Sequence, residues 1–310
     1  MRGRSVPELS QVGIIGCGTV GRTLAARLLR HGRVPQVYDQ DPARTAQVVD
    51  AGGIAANTAH ELAEQVDCLI SALPRAVDVE GVFLGPAGVL AAMKPRSMVL
   101  ESSTVGPECV RTVADEAKRK KIRYLDTPLA RGAVVDHQAT LTVLVGGNAD
   151  HFDLARPVLE LLADKLLYCG GVGQAQVVKL INNLLTHIIT VAAGEALALG
   201  VRSGLSLDLI CSALNSGTAQ NRVVDELLPG SAFQGDWSPG HRIDMGVKEL
   251  EEVDRLAAME GVSQSLLEPV LRLFRLADDK GWGDLSVHAV LRMVEEQAGV
   301  RLRSETDQGD

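Results

Sequence analysis

The sequence predicts an α/β fold: a doubly wound parallel sheet in the first half, followed by an all-α second half that begins with one long helix. Three observations predict it. Short aliphatic, β-branched runs alternate with amphipathic segments up to about residue 170, as strands buried on both faces by helices should. A glycine-spaced turn stands between the first such run and the first helical segment. Beyond "YCGGVG" (168–173) no convincing strand follows, and helical periodicities continue to about residue 299. The expected domains are therefore residues 1–170, carrying the sheet, and 171–310, all helical.

"VGIIG" (12–16) reads as the first strand and "TVGRTLAARLLRHG" as the helix after it. "VPQVYD" (34–39), "DCLISAL" (67–73), "SMVLESS" (97–103) and "IRYLD" (122–126) are the next four strands. "ATLTVLVGG" (139–147) alternates threonine with aliphatics, which suits a sheet edge or a strand beyond the first mononucleotide half. The basic run "KRKK" (118–121) sits between a helix and a strand and reads as a solvated helix end. "RLRSETDQGD" at the close reads as a frayed tail.

Composition narrows the function. Aromatics make up only 3% of the 310 residues, so the core must be aliphatic and few rings are available to stack on bases. A formal net charge of -8 disfavours a phosphate-backbone partner, so no nucleic acid is expected. The opening "MRGRSVPELS" lacks the apolar segment of a signal peptide. Five cysteines without CxxC spacing suggest neither a disulfide framework nor a zinc site, and they read as reduced thiols of a cytoplasmic protein.

"IIGCGTVG" places Gly16, Gly18 and Gly21 in a GxGxxG between strand and helix. The first glycine permits the tight turn, the second lets a pyrophosphate approach the backbone, and the third lets helix and strand pack closely. The loop Gly16, Cys17, Gly18, Thr19, Val20, Gly21 is thus an expected dinucleotide cradle of the Rossmann type, with the helix dipole facing the phosphates. Asp39 ends the second strand 18 positions beyond Gly21. There it would accept hydrogen bonds from the adenosine ribose and repel a 2′-phosphate, favouring NAD over NADP. The alternative for Asp39 is a capping or turn aspartate, since Asp41-Pro42 follows.

"GQAQVVKLINNLLTHIITVAAGEALALG" (173–200) is too apolar for a surface helix, yet it holds Lys179, Asn182, Asn183, Thr186, His187, Thr190 and Glu195. Those groups disqualify it as a bilayer span. At 100° per residue Asn183, Thr186 and Thr190 fall within about 40° of Lys179, forming one narrow polar stripe. Such a stripe is either a solvent-facing side or the wall of a site; the apolar remainder would then be the spine between domains. A single charge in so long a stripe favours the site. His187 reads as a satisfied interior or interface histidine.

Taken in order, these segments resemble the β-hydroxyacid dehydrogenases related to 3-hydroxyisobutyrate and 6-phosphogluconate dehydrogenase. "GIIGCGTVG" is similar to that family's opening loop, with Val20 where methionine is usual. "ISALP" resembles the segment along the cofactor, which implies Leu73 and Pro74 as cofactor contacts. "LESSTVGP" resembles the "DxST" turn, with Glu101 for aspartate and Thr104 at the cofactor. "VKLINN" resembles the catalytic helix, implying Lys179 as the catalytic acid and Asn183 as a substrate ligand. "MGVKEL" resembles the later "KD" segment and implies Lys248 as a cofactor and active-site neighbour, otherwise a surface lysine beside Glu249.

The departure is "DTPLARGAVVDHQATL". Where the family has Ser-Gly-Gly holding the substrate acid, this chain has Ala130, Arg131 and Gly132. The same arginine occurs in a branch resembling 3-sulfolactaldehyde reductases. Arg131 is either a salt-bridged surface residue or a planar fork for a sulfonate, phosphonate or carboxylate.

The chemistry fits these residues. Hydride addition to a carbonyl leaves charge growing on oxygen, and a lysine whose pKa is lowered by burial can protonate it. The expectation is an NAD-dependent dehydrogenase or reductase of a small anionic aldehyde and its hydroxy acid, with the site in a cleft between domains. Sulfolactaldehyde is the leading substrate; 3-hydroxyisobutyrate, 4-hydroxybutyrate or tartronate semialdehyde types are alternatives. Weaker is an imine reductase, a group lacking the lysine. From another class, a non-catalytic NAD-binding sensor would bind NADH and oxidise none. The family implies a homodimer or homotetramer.

Overall fold

The computed structural model describes residues 9–131, 140–238 and 240–304, and leaves the side chain of Arg131 undescribed. The chain divides into two compact units, Met1–Leu180 and Ile181–Asp310.

The first unit holds β1 (Val12–Ile15), β2 (Gln36–Tyr38), β3 (Ile54–Ala55), β4 (Cys68–Ser71), β5 (Met98–Glu101), β6 (Arg123–Asp126), β7 (Leu129–Arg131), β8 (Thr142–Gly147) and β9 (Lys165–Gly170). They make one sheet in the order β3-β2-β1-β4-β5-β6-β8-β7, with β9 on β8. Strands β1 to β6 are mutually parallel, β8 runs antiparallel to β6, and β9 parallel to β8. This is the expected doubly wound sheet, with the chain passing from β3 on one edge back through the centre. The helices α1 (Thr19–Arg30), α2 (Pro42–Asp50), α3 (Ala59–Gln65), α4 (Ala76–Phe83), α5 (Val89–Ala92), α6 (Pro107–Arg119) and α7 (Ala149–Leu162) cover it.

Alternate residues of each central strand enter opposite cores. Ile14, Ile70 and Leu100 join Leu24 and Leu28 of α1 on one face. Ile15, Leu69 and Val99 join Phe83 and Val110 on the other. Burial on both faces explains why β1, β4 and β5 read as continuous apolar runs, each buried aliphatic contributing about 1.5–3 kcal/mol.

The second unit is helical, as expected. It contains most of α8 (Gln174–Arg202), then α9 (Leu207–Asn215), α10 (Ile243–Glu260), α11 (Leu267–Ala277) and α12 (Leu291–Ala298). Leu250, Phe274 and Leu291, each wholly buried, belong to its interior.

Helix α8 turns part of its polar stripe inward. Its polar groups Gln176, Asn183, His187 and Thr190 are buried, whereas Ile181, Leu185 and Leu199 are 50–70% exposed in the single chain. Leu180, Val191 and Leu197 of the same helix are buried as well, so α8 covers both polar and apolar side chains. An inward polar stripe is what its single charge favoured over a solvent-facing side. Among the described residues α8 is the one helix long and apolar enough to cross a membrane, by length and composition only.

Candidate active site

The glycine loop is built by close backbone approach. Gly16 has φ 92°, in the left-handed region, and a Cβ there would lie 2.3 Å from the carbonyl oxygen of Ala72. A Cβ on Gly21 would lie 1.8 Å from the carbonyl oxygen of Gly16, which only a shifted helix could relieve. Around Gly18 a Cβ would meet nothing within 4 Å. Gly18 caps α1 without a side-chain hydrogen bond, and the first turn of α1 carries no acidic residue. An open approach to uncapped amides at a positive dipole end fits a pyrophosphate.

Around the loop, Val20 packs against the core of this face, while the carbonyl of Thr19 accepts the Thr23 hydroxyl at 2.8 Å. Cys17 is packed in: burial, then the nearby Asp39 charge, pushes its thiol up to about 12, so it stays neutral. Asp39 ties the end of β2 to the loop, accepting the Cys17 N–H at 2.7 Å on one oxygen and the Asp41 N–H at 2.9 Å on the other. Capping of α2 falls to Asp41, which accepts the Ala43 N–H. Asp39 thus stands at the carboxyl end of β2, beside the cradle, with both oxygens accepting backbone N–H groups.

The ends of β4 and β5 are joined by a buried carboxyl. Glu101 accepts the Ser71 hydroxyl at 2.6 Å and the Ser103 N–H at 2.9 Å, and the Ser103 hydroxyl accepts the Leu73 N–H at 2.7 Å. Leu73, exposed Pro74 and half-buried Thr104 follow these strand ends directly. Burial raises Glu101 from the ordinary 4.5 to about 7, against the lowering effect of its hydrogen bonds. The native state therefore keeps a proton that the unfolded chain has already released. That stabilisation is complete below about pH 4.5 and is lost as pH rises through about 7, of the order of 3 kcal/mol in all. The expected result is a Tm that falls between about pH 5 and pH 8 in wild type, and falls less in Glu101→Gln. Equal slopes in thermal unfolding would mean that Glu101 is already ionised when folded.

The start of α8 is pinned to the same end of the sheet. Asp126, at the end of β6, accepts the Gly173 N–H at 2.9 Å and the Gln176 N–H at 3.2 Å, acting as a cap from a different element. The Gln176 side chain donates to the Ser103 carbonyl at 2.9 Å and accepts the Val105 N–H at 3.2 Å. Lys179 is three residues further along α8 and half-buried. The cradle after β1, Asp39 after β2, Leu73 after β4, Thr104 after β5 and the helix bearing Lys179 therefore share the carboxyl edge of the sheet, where open α/β sheets bind ligands. Gln176 had no sequence signal of its own; a glutamine in a helix ordinarily reads as surface.

In the second unit Asn183 is buried, and its Oδ1 accepts from Asn182 at 3.1 Å. Its Nδ2 is buried with no hydrogen-bond partner. Lys248 is half-buried on α10, its pKa lowered by burial against the opposing pull of Glu249, Glu252 and Asp244. Ala130 lies in β7, where the register against β8 shifts between Leu129 and Arg131. Arg131 is described for its backbone only, and Gly132 lies outside the described residues.

Residues 11–171 match the family model described as the NAD binding domain of 6-phosphogluconate dehydrogenase. Residues 173–294 match the one described as NAD-binding of NADP-dependent 3-hydroxyisobutyrate dehydrogenase. The chain belongs to the β-hydroxyacid dehydrogenase family. As a member it is an NAD(P)-binding oxidoreductase acting on CH–OH donors. It is 34% identical to a 3-hydroxyisobutyrate dehydrogenase of Pseudomonas aeruginosa, over 78% of this chain and 83% of the relative. An NAD-dependent L-serine dehydrogenase of the same organism is 29% identical over 94% of this chain and all of the relative. Among solved structures, the Mycobacterium tuberculosis 3-hydroxyisobutyrate dehydrogenase with L-serine superimposes with a TM-score of 0.83 at 26% identity, covering 92% of this chain and 99% of that one. These likenesses extend to the full length of a β-hydroxyacid dehydrogenase. They do not single out the sulfolactaldehyde branch.

Proposed function

We propose that this dehydrogenase interconverts a short β-hydroxy acid and its aldehyde, with NAD preferred, Lys179 as general acid and base, and Asn183 as a substrate ligand. The observation that carries this is the unpartnered, buried Nδ2 of Asn183, one helical turn beyond Lys179 on α8. A buried donor left unpaired costs about 1–3 kcal/mol, which a substrate oxygen would offset. Bound nicotinamide supplies or accepts the hydride. The chain's own residues hold the cofactor and manage the proton. Gly16, Cys17, Gly18, Thr19, Val20 and Gly21 offer backbone to the pyrophosphate, and Asp39 takes the ribose hydroxyls, which supports the NAD preference. Leu73, Pro74 and Thr104 flank the nicotinamide half, and Lys248 adds a cation. In reduction Lys179 donates its proton as negative charge develops on the carbonyl oxygen; in oxidation it takes the hydroxyl proton.

Ala130, Arg131 and Gly132 are assigned to the acid end of the substrate. A carboxylate is the leading reading, supported by relatives named for 3-hydroxyisobutyrate and L-serine. Arg131, standing where the resemblance implies the first glycine of Ser-Gly-Gly, favours a second reading in which the acid is a sulfonate, as in 3-sulfolactaldehyde. An NADH-oxidation screen over aldehydes ending in carboxylate, sulfonate, phosphonate or no charge decides between them. Arg131→Gly should raise KM for the preferred anion at least about tenfold, the loss of roughly 1.4 kcal/mol, and leave neutral aldehydes little changed. An equal effect on both removes Arg131 from the site.

The exposed apolar residues along α8 support a dimer in which a second copy of the chain covers them. A sedimentation mass equal to one chain of 32.9 kDa would refute it.

A further inference from the structure

Within the helical unit, three potential metal ligands from separate places in the sequence converge. His187 on α8, His241 two residues before α10, and Glu249 on α10 present their ligating atoms within 4.8 Å of one another. The His187 Nε2 lies 3.4 Å and the His241 Nε2 3.0 Å from the same carboxylate oxygen, Glu249 Oε2. We propose that these three residues form a binding site for a borderline divalent ion of the zinc class, with water as its fourth ligand.

The spacing at His187 favours a metal site over a simple hydrogen-bonded pair of histidines, while that at His241 accommodates both. An N–H···O bond spans about 2.7–3.2 Å, so the 3.4 Å separation at His187 is long for one. Zinc holds imidazole nitrogen and carboxylate oxygen at about 2.0–2.2 Å, which sets neighbouring ligand atoms about 3.4 Å apart in a tetrahedron. The His187 separation equals that edge, and the His241 separation is 0.4 Å shorter, a small movement of the exposed ring away from it. Two imidazoles and one carboxylate also make a donor set suited to zinc, cobalt, nickel or copper and poorly suited to calcium or magnesium.

The ligands are also held. The His187 ring meets Phe274 edge-on, centroids 4.9 Å apart, and both residues are buried. The carbonyl of His241 accepts the Val287 N–H at 2.7 Å, which anchors the segment ahead of α10. Glu249 is only 5% exposed, so its charge has lost most of its water and gains from a bound cation. His241 is 40% exposed in its side chain, leaving an entry path and room for a water ligand. Bound there, the ion would join α8 to the start of α10. Lys248, next to Glu249, would feel its charge.

Protein without a histidine tag, stripped with chelator, should take up one Co2+ per chain with the intense visible bands of a tetrahedral complex. Zn2+ should displace it and raise Tm. His241→Ala, at a solvent-facing position, should keep the fold by circular dichroism and weaken the ion at least about 100-fold. His60→Ala, which removes an exposed histidine on α3 paired with Glu64, should change nothing. Two results would overturn the site: less than one ion per chain at a free Zn2+ of about 10 μM, or uptake unchanged in His241→Ala. If His241→Ala unfolds, Glu249→Gln is read by the same titration.

Discussion

Lys179→Ala should lower kcat by about 10²–10⁴-fold, the range expected for loss of a positioned proton donor, while NADH affinity and Tm stay near wild type. The expectation rests on how α8 is held. Asp126 and Gln176 fix its first turn through four hydrogen bonds to the backbone or side chains at the strand ends, and Lys179 takes no part in those four. Truncating this half-buried side chain leaves that anchorage in place. Lys179→Arg sharpens the test. A guanidinium keeps the positive charge yet cannot release a proton near neutral pH, so it should be nearly as poor as alanine. Recovery of most of the rate by arginine would show that charge stabilisation, not proton transfer, is the role of position 179. A wild-type rate in the alanine variant would remove Lys179 from the mechanism altogether.

The glycine loop separates folding from binding within three residues. Gly21→Ala should fail to fold stably, or lose several kcal/mol, because its Cβ would sit 1.8 Å from a backbone oxygen that belongs to the same tight turn. Gly18→Ala meets no atom within 4 Å, so Tm should hold. Its methyl would instead occupy the approach of the pyrophosphate, weakening NADH by about tenfold or more in a fluorescence titration. Should Gly18→Ala bind NADH as wild type does, the pyrophosphate lies elsewhere.

Much of this was legible in the amino-acid order. Six strands could be read, most because burial on two faces forces continuous aliphatic runs and β8 from its alternation of threonine with aliphatics. The three that could not, β3, β7 and β9, are short or mostly exposed, and edge positions impose no such pattern. The cradle was legible because each glycine answers a separate steric demand. The inward turn of the α8 stripe was legible from its single charge, but the partners of Gln176 and His187 were not, since they lie far away in sequence. For the same reason His187, His241 and Glu249 could not be joined by spacing: 53 residues lie between the two histidines.

Gly146 never touches the proposed chemistry, yet a Cβ there would lie 2.5 Å from Oδ1 of Asp126, the carboxylate that caps α8. A methyl group added on β8 would push that cap away from Gly173 and Gln176 and let the start of the helix wander. In a selection for activity, position 146 should therefore behave like an active-site residue, and a map of distances from the substrate would give no warning of it.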